Sequence, residues 1–134
     1  MEDLIFRAKL AEHAERHDDM IKVMKEVVAL DANLDTEARN LLSVAFKNAV
    51  GTRRNAWRSF ESVRRKKKDD PNPVVPKCIG LYQDTVEKEL GNIAGEIIAL
   101  IDNTLIGATP EDDAETKVFY MKMKGDYWRY LAEF

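Results

Sequence analysis

A chain of 134 residues has room for one core, and its composition, 45% hydrophobic and 34% charged, excludes the disordered class and suits helices with wet outer faces. Formal net charge is −3, yet Arg39 to Lys68 carries ten Lys or Arg against one acid, Glu61, so that this segment stands at +9 and the remainder at −12. The expected partner is therefore an anion met locally, not a long polyanion gripped by the whole surface. The start Met1-Glu2-Asp3 lacks the basic region and apolar stretch of a signal peptide, and the longest purely apolar run, Ile97 to Ile101, is too short to span a bilayer. A single cysteine, Cys78, cannot form an internal disulfide. A cytoplasmic home, or a nuclear one, with no membrane partner is expected.

Helical periodicity runs through the chain and no strand pattern interrupts it. Leu4, Ala8, Ala11 and Ala14, with Leu10 beside them, predict a first helix over about 2–15, and Met20, Val23, Met24, Val27 and Val28 a second over about 17–31. Asp35 suits the N-cap of a third, about 35–68, with Glu37 in its first turn and apolar residues at Leu42, Phe46, Ala49, Ala56, Phe60 and Val63. Gly51 inside that helix should cost about 1 kcal/mol against Ala, which points to close packing there. Three prolines in 69–76 predict a loop, followed by a fourth helix over about 77–105. Its Gly91-Asn92-Ile93-Ala94-Gly95 has GxxxG spacing, read as close packing in water. Thr109-Pro110-Glu111-Asp112 reads as the start of a fifth helix, about 110–134, through Phe119, Met123, Tyr127 and Leu131. The fold class expected is all-α, one helical domain over 1–134 built as an antiparallel array of about five helices. Phe134 stops an amphipathic helix with no cap, glycine or polar tail, and is expected to mark a chain cut short.

The most informative run is Asn40 to Arg58, where one helix buries Leu and aromatic side chains and carries Lys47, Arg54 and Arg58 outward at spacings of seven and four. Seven residues is close to two turns, so the cations form a stripe, the first two about 10.5 Å apart. Their repulsion in water is only about 0.4 kcal/mol at that separation, so a plain solvated face would tolerate them. Lys122 and Arg129 repeat the seven-residue spacing in the fifth helix, and Tyr130 follows with a phenolic donor. If the two helices pack side by side, Lys47, Arg54, Arg129 and Tyr130 converge, and guanidinium forks with a Lys point charge suit a phosphate dianion.

Other motifs have plainer readings. Arg64 to Lys68 is a five-residue basic run that fits a nuclear-localisation or nucleic-acid patch, or cations complementing a helix C-terminus. His13 and His17 stand at i, i+4, but HAERH lacks the Glu of H-E-x-x-H and a third ligand, so surface histidines and no metal are expected. Cys78 has no His or Asp companion nearby in sequence, and no phosphate-cradling glycine loop occurs. Nothing argues for catalysis or for a cofactor.

Arg39-Asn40-Leu41-Leu42-Ser43-Val44-Ala45-Phe46-Lys47-Asn48, followed by Gly51-Thr52-Arg53-Arg54 and Trp57-Arg58, resembles the signature of the 14-3-3 family. So does the run from Lys117 to Glu133, KVFYMKMKGDYWRYLAE, and Ala8 to Glu12 with Ala14-Glu15-Arg16 and Asp18-Asp19-Met20 resembles the family's first helices. The likeness covers essentially the whole chain. It implies a dimeric adaptor of nine helices, of which these residues hold the first five, binding phosphoserine or phosphothreonine segments of client proteins. The family is a known Arg-cluster reader of such motifs. Carried over by position, phosphate would be held by Lys47, Arg54, Arg129 and Tyr130, flanked by Arg58 and Lys122, with Glu133 orienting the arginines. The dimer would set Leu10 and Ala14 against Ala56, Phe60 and Tyr82 of a second chain, with Arg16 facing Glu89. A dimerisation scaffold without usable peptide affinity is the alternative, because the family's second groove wall lies outside these residues. Thr85 stands where the family offers a basic partner for Asp19, Trp128 replaces a Tyr, Phe60 a smaller aliphatic, and the 64–68 run departs from the family pattern. With those neighbours absent, Tyr127 and Leu131 are expected to leave exposed apolar surface or to meet oligomer contacts.

Overall fold

The computed structural model describes residues 1–134 and contains helices and no strands. Five main helices follow one another: α1 Glu2–His13, α2 His17–Leu30, α3 Thr36–Lys66, α4 Val74–Leu100 and α5 Ala114–Ala132. The all-α array expected from periodicity is the fold. Consecutive helices pack in order, α1 on α2, α2 on α3, α3 on α4 and α4 on α5, with α1 also touching α3. One contiguous cluster of buried apolar side chains draws from all five, with Met20, Met24, Leu42, Phe46, Leu90, Ile97 and Tyr120 essentially sealed from solvent.

The local chemistry accounts for the element ends. Asp35 caps α3, its Oδ1 accepting from the backbone N–H of Ala38 at 2.8 Å. At the other end Arg64, Arg65 and Lys66 fill the last turn, where cations complement the exposed carbonyls. The α1–α2 turn places Glu15 in left-handed backbone, φ 57°, the one non-glycine residue of the chain there. That turn also separates His13, which closes α1, from His17, which opens α2. The i, i+4 spacing therefore does not put them on one helix.

Several expectations are corrected. α4 begins at Val74 and not 77, with Pro76 inside its first turn, where a missing N–H leaves no hydrogen bond unmade. The start expected around Thr109 is instead the end of the preceding segment: Thr109 is extended, and its hydroxyl donates to the Leu105 carbonyl at 2.8 Å. α5 opens at Ala114, capped by Asp113, whose carboxylate accepts from the Thr116 N–H at 3.1 Å. Between α4 and α5 the helix widens into a π-helical turn, Ile101–Leu105, then closes with Ile106–Ala108. The widened turn keeps Ile101 and Leu105 buried while Asp102 reaches Lys124 of α5 at 2.7 Å.

Segment 74–108 is long and apolar enough to cross a membrane by length and composition, with a mean hydropathy of 1.2 over its most apolar window. In the fold Leu90, Ala94, Ile97, Ile98, Ile101 and Leu105 face the common core, so core burial accounts for that apolarity. The glycines do not mark close packing. A Cβ built at Gly51, Gly91 or Gly95 meets nothing within 4 Å, and none has positive φ. Gly51→Ala is accordingly expected to stabilise the chain by about 0.5–1 kcal/mol, raising the thermal midpoint by a few degrees in a calorimetric scan.

Tyr127 is 2% exposed and Leu131 packs against the core, against the expectation for both. The apolar surface of α5 instead carries Val118, Met121 and Trp128, each more than half exposed and spaced i, i+3, i+10 on one face.

Candidate phosphate clamp between α3 and α5

α5 lays its backbone against α4 and meets α3 through long side chains, so a cleft remains between α3 and α5. Arg54 spans it. Its Nε donates to Glu133 Oε2 at 3.0 Å and its Nη2 to Oε1 at 2.8 Å, a bidentate fork. Arg58, one turn on, has an Nη2 3.7 Å from the same carboxylate. The Arg54 guanidinium lies over the Tyr130 ring at 4.3 Å, and that of Arg129 at 5.6 Å from the same centroid. Tyr130 is thus the common contact of the two arginines predicted to converge. Lys47 lines a cleft of about 380 Å³ together with Arg54 and Tyr130, and a second of about 260 Å³ with Lys122 and Tyr130.

Five of the expected residues, Arg54, Arg58, Arg129, Tyr130 and Glu133, are linked by direct contacts. Lys47 and Lys122 line the clefts alongside them. Arg129 is turned partly aside: its side chain is 68% exposed and donates to Asp126 at 3.2 Å, one turn back on its own helix. The hydrogen bonds from Arg54 hold the Glu133 carboxyl below its ordinary range, with the charges of Arg54, Arg58 and Arg129 adding to them. A lowered carboxylate pKa means that this contact is present above the ordinary Glu range and is lost as pH falls through the folded value. Desolvation pushes the Tyr120 phenol up to about 12 and the Tyr127 phenol, beside Tyr130 and Asp126, higher still, so both stay neutral around pH 7.

Arg53, next to Arg54 in sequence, faces the other way. Its Nη1 and Nη2 donate to the two oxygens of Asp18 at 3.0 Å each, and its Nε to Glu89 at 3.3 Å. Its side chain is only 18% exposed, although Asp18 and Glu89 stay largely in solvent. Glu89 and Arg16, expected to meet across a dimer, thus both have partners within the chain, Arg16 pairing with Asp19. Thr85 hydrogen-bonds back to the Leu81 carbonyl of its own helix.

The apolar residues expected at a dimer contact lie largely in the open. Leu10 and Tyr82 are more than half exposed, Ala14 is exposed, and Phe60, half-buried, stacks on Tyr82 with ring centroids 5.2 Å apart. Phe6 on α1 and Leu81 on α4 are exposed beside them in sequence.

Sequence reasoning missed Asn48 and Asn55, which line the larger cleft with Lys47 and Arg54. The signal was available, since each follows its cation by one residue and repeats the same spacing of seven. It also missed the terminal contact: Phe134 packs on Trp57, centroids 4.8 Å apart, while Trp57 Nε1 donates to Glu87 at 2.9 Å.

A helical array whose third and fifth members bring two arginines onto one tyrosine defines a helical protein with a cationic cleft. The family profile described as 14-3-3 protein matches residues 7–134. Two relatives, 14-3-3 protein eta of Bos taurus and of Mus musculus, are each 48% identical over 132 residues, covering 98% of this chain and 54% of their own. The chain belongs to the 14-3-3 family, and it spans about half the length of the curated relatives it matches.

Proposed function

We propose that this chain binds phosphoserine- or phosphothreonine-containing segments of client proteins and acts as an adaptor, not as an enzyme. The observation that carries the reading is the meeting of Arg54 and Arg129 on the Tyr130 ring, with Lys47 in the same cleft. Around this point Lys47, Arg54, Arg58, Lys122 and Arg129 supply five positive charges against Glu15, Asp126 and Glu133, a local excess of +2 suited to a dianion. Arg54 has five N–H donors and gives two of them to Glu133. The others can donate to phosphate oxygens while Glu133 holds the fork in place.

Dimerisation belongs to the same proposal. Phe6, Leu10, Leu81 and Tyr82 leave apolar area in water that a second copy, or a related chain, would cover. Two linked clamps would then engage a doubly phosphorylated client with the gain that effective concentration gives. The rival reading is a dimerising scaffold without usable peptide affinity, favoured by a cleft whose lining, from α3, α5 and Glu15 and His17 at the α1–α2 turn, is mostly polar and charged. Fluorescence anisotropy with a phosphorylated peptide and its unphosphorylated twin separates the two. Saturable binding of the phosphorylated form alone is expected; equal behaviour of the pair leaves the scaffold.

A further inference from the structure

The cationic line on α3 does not stop at the clamp. Lys47, Arg54, Arg58 and Arg65 follow at spacings of seven, four and seven on one unbroken helix. At 100° per residue all four fall within about 40° of one line, and Arg65 stands about 16.5 Å along the axis from Arg54. The neighbouring arginine is differently employed. Arg64 donates to Gln83 of α4 and pairs with Glu61 at 3.5 Å. Arg65 is exposed and takes part in none of the chain's ion pairs.

The strip beside this line is open. Gly51, Asn55 and Ser62 occupy it, all small or polar and none buried, and nothing stands within 4 Å of where a Gly51 Cβ would be. An extended segment advancing about 3.3 Å per residue covers the distance from Arg54 to Arg65 in about five residues. The cations form one line on a chain that carries −12 outside Arg39–Lys68, which suits a short anionic segment and repels a long nucleic acid.

We propose that Arg65 is a specificity-determining residue, pairing with a Glu or Asp side chain of the bound segment about five residues from the phosphorylated one. The assignment rests on the clamp reading above, and the test separates the two. The full chain and its Arg65→Gln variant are titrated by anisotropy with fluorescein-labelled peptides. One carries a single phosphoserine in a neutral background. Two more add one Glu five residues before or five residues after it, and a fourth replaces that Glu by a second phosphoserine.

One of the two Glu-bearing peptides is expected to bind about three- to fivefold tighter than the parent, as an exposed ion pair allows. Arg65→Gln should erase that gain and leave the parent's affinity unchanged. A gain from Glu at neither position, or one that persists in Arg65→Gln, overturns the assignment with the clamp intact. A gain from the second phosphate alone overturns the carboxylate assignment. Failure of the parent phosphopeptide to bind overturns the clamp, and this proposal with it. Displacement of the Glu-bearing peptide by a single-stranded RNA oligonucleotide, lost in Arg65→Gln, would give the line to nucleic acid instead.

Discussion

Arg54→Ala is expected to weaken binding of a phosphoserine peptide by about thirtyfold or more, because a charge-assisted hydrogen bond contributes about 1.5–3 kcal/mol and this residue can offer more than one. Arg54→Lys keeps the charge and loses the fork, so an intermediate loss is expected. The fold should survive both. The pair with Glu133 lies at a partly exposed edge, its two side chains 21% and 31% accessible, and such pairs contribute under about 1 kcal/mol. Two readouts check the cause: anisotropy for affinity, and a carboxyl NMR titration in which Glu133 moves back up toward the ordinary Glu range once its first donor is gone. Unchanged peptide affinity in Arg54→Ala, with the helical circular dichroism retained, would remove Arg54 from the clamp.

The largest effect on stability is expected at Phe46. Its ring is fully buried, one turn before the cleft-lining Val50, on a face of α3 about 80–100° round from Lys47 and Arg54. Phe46→Ala removes most of a buried aromatic and leaves a cavity that a close-packed interior fills only in part, for a loss of about 3–5 kcal/mol. Small domains hold about 5–15 kcal/mol in all, so the loss is a large share of the whole. It should appear as a lower urea midpoint with an unchanged slope. Val118→Ala is the contrasting substitution: at 65% exposure it should move the midpoint by about 0.5 kcal/mol or less. A Phe46→Ala loss below about 1 kcal/mol would mean that the core differs from the one described.

What the sequence made legible follows from which interactions are local. Helix periodicity and the Asp35 cap depend on residues within a turn or two, and both are found. The start of α4 lies three residues before the one expected because Pro76, a breaker inside a helix, sits in a first turn that needs no N–H from it. At α5 the sequence pointed to Thr109, whereas Asp113, four residues on, is the cap; the difference depends on how the π-helical turn delivers the chain, which no local pattern encodes. Gly51, Gly91 and Gly95 suggested close contacts by their rarity in helices, yet nothing approaches them; the structure gives no packing reason for them. Tyr127 was expected to be bare because the helices that cover it in longer relatives were reasoned to be missing, whereas neighbours within these residues already bury it. For the cleft, the spacings put the cations on one face of each helix, and Arg54 lies over Tyr130 because the two helices face each other there. Spacing could not foresee that Arg129 pairs with Asp126, an alternative one turn away and equally compatible with the pattern.

Arg53 and Arg54 give α3 a fixed rotational phase. Neighbours on a helix point about 100° apart, and here one guanidinium is moored to α2 and α4 through Asp18 and Glu89, the other to α5 through Glu133. A roll of α3 about its own axis would stretch moorings on both flanks, and a roll by one residue would break all three pairs together. Torsional play is thereby reduced in the element that carries the cations, so an incoming anion meets charges whose bearing is largely set. Less ordering then remains to be done when it binds.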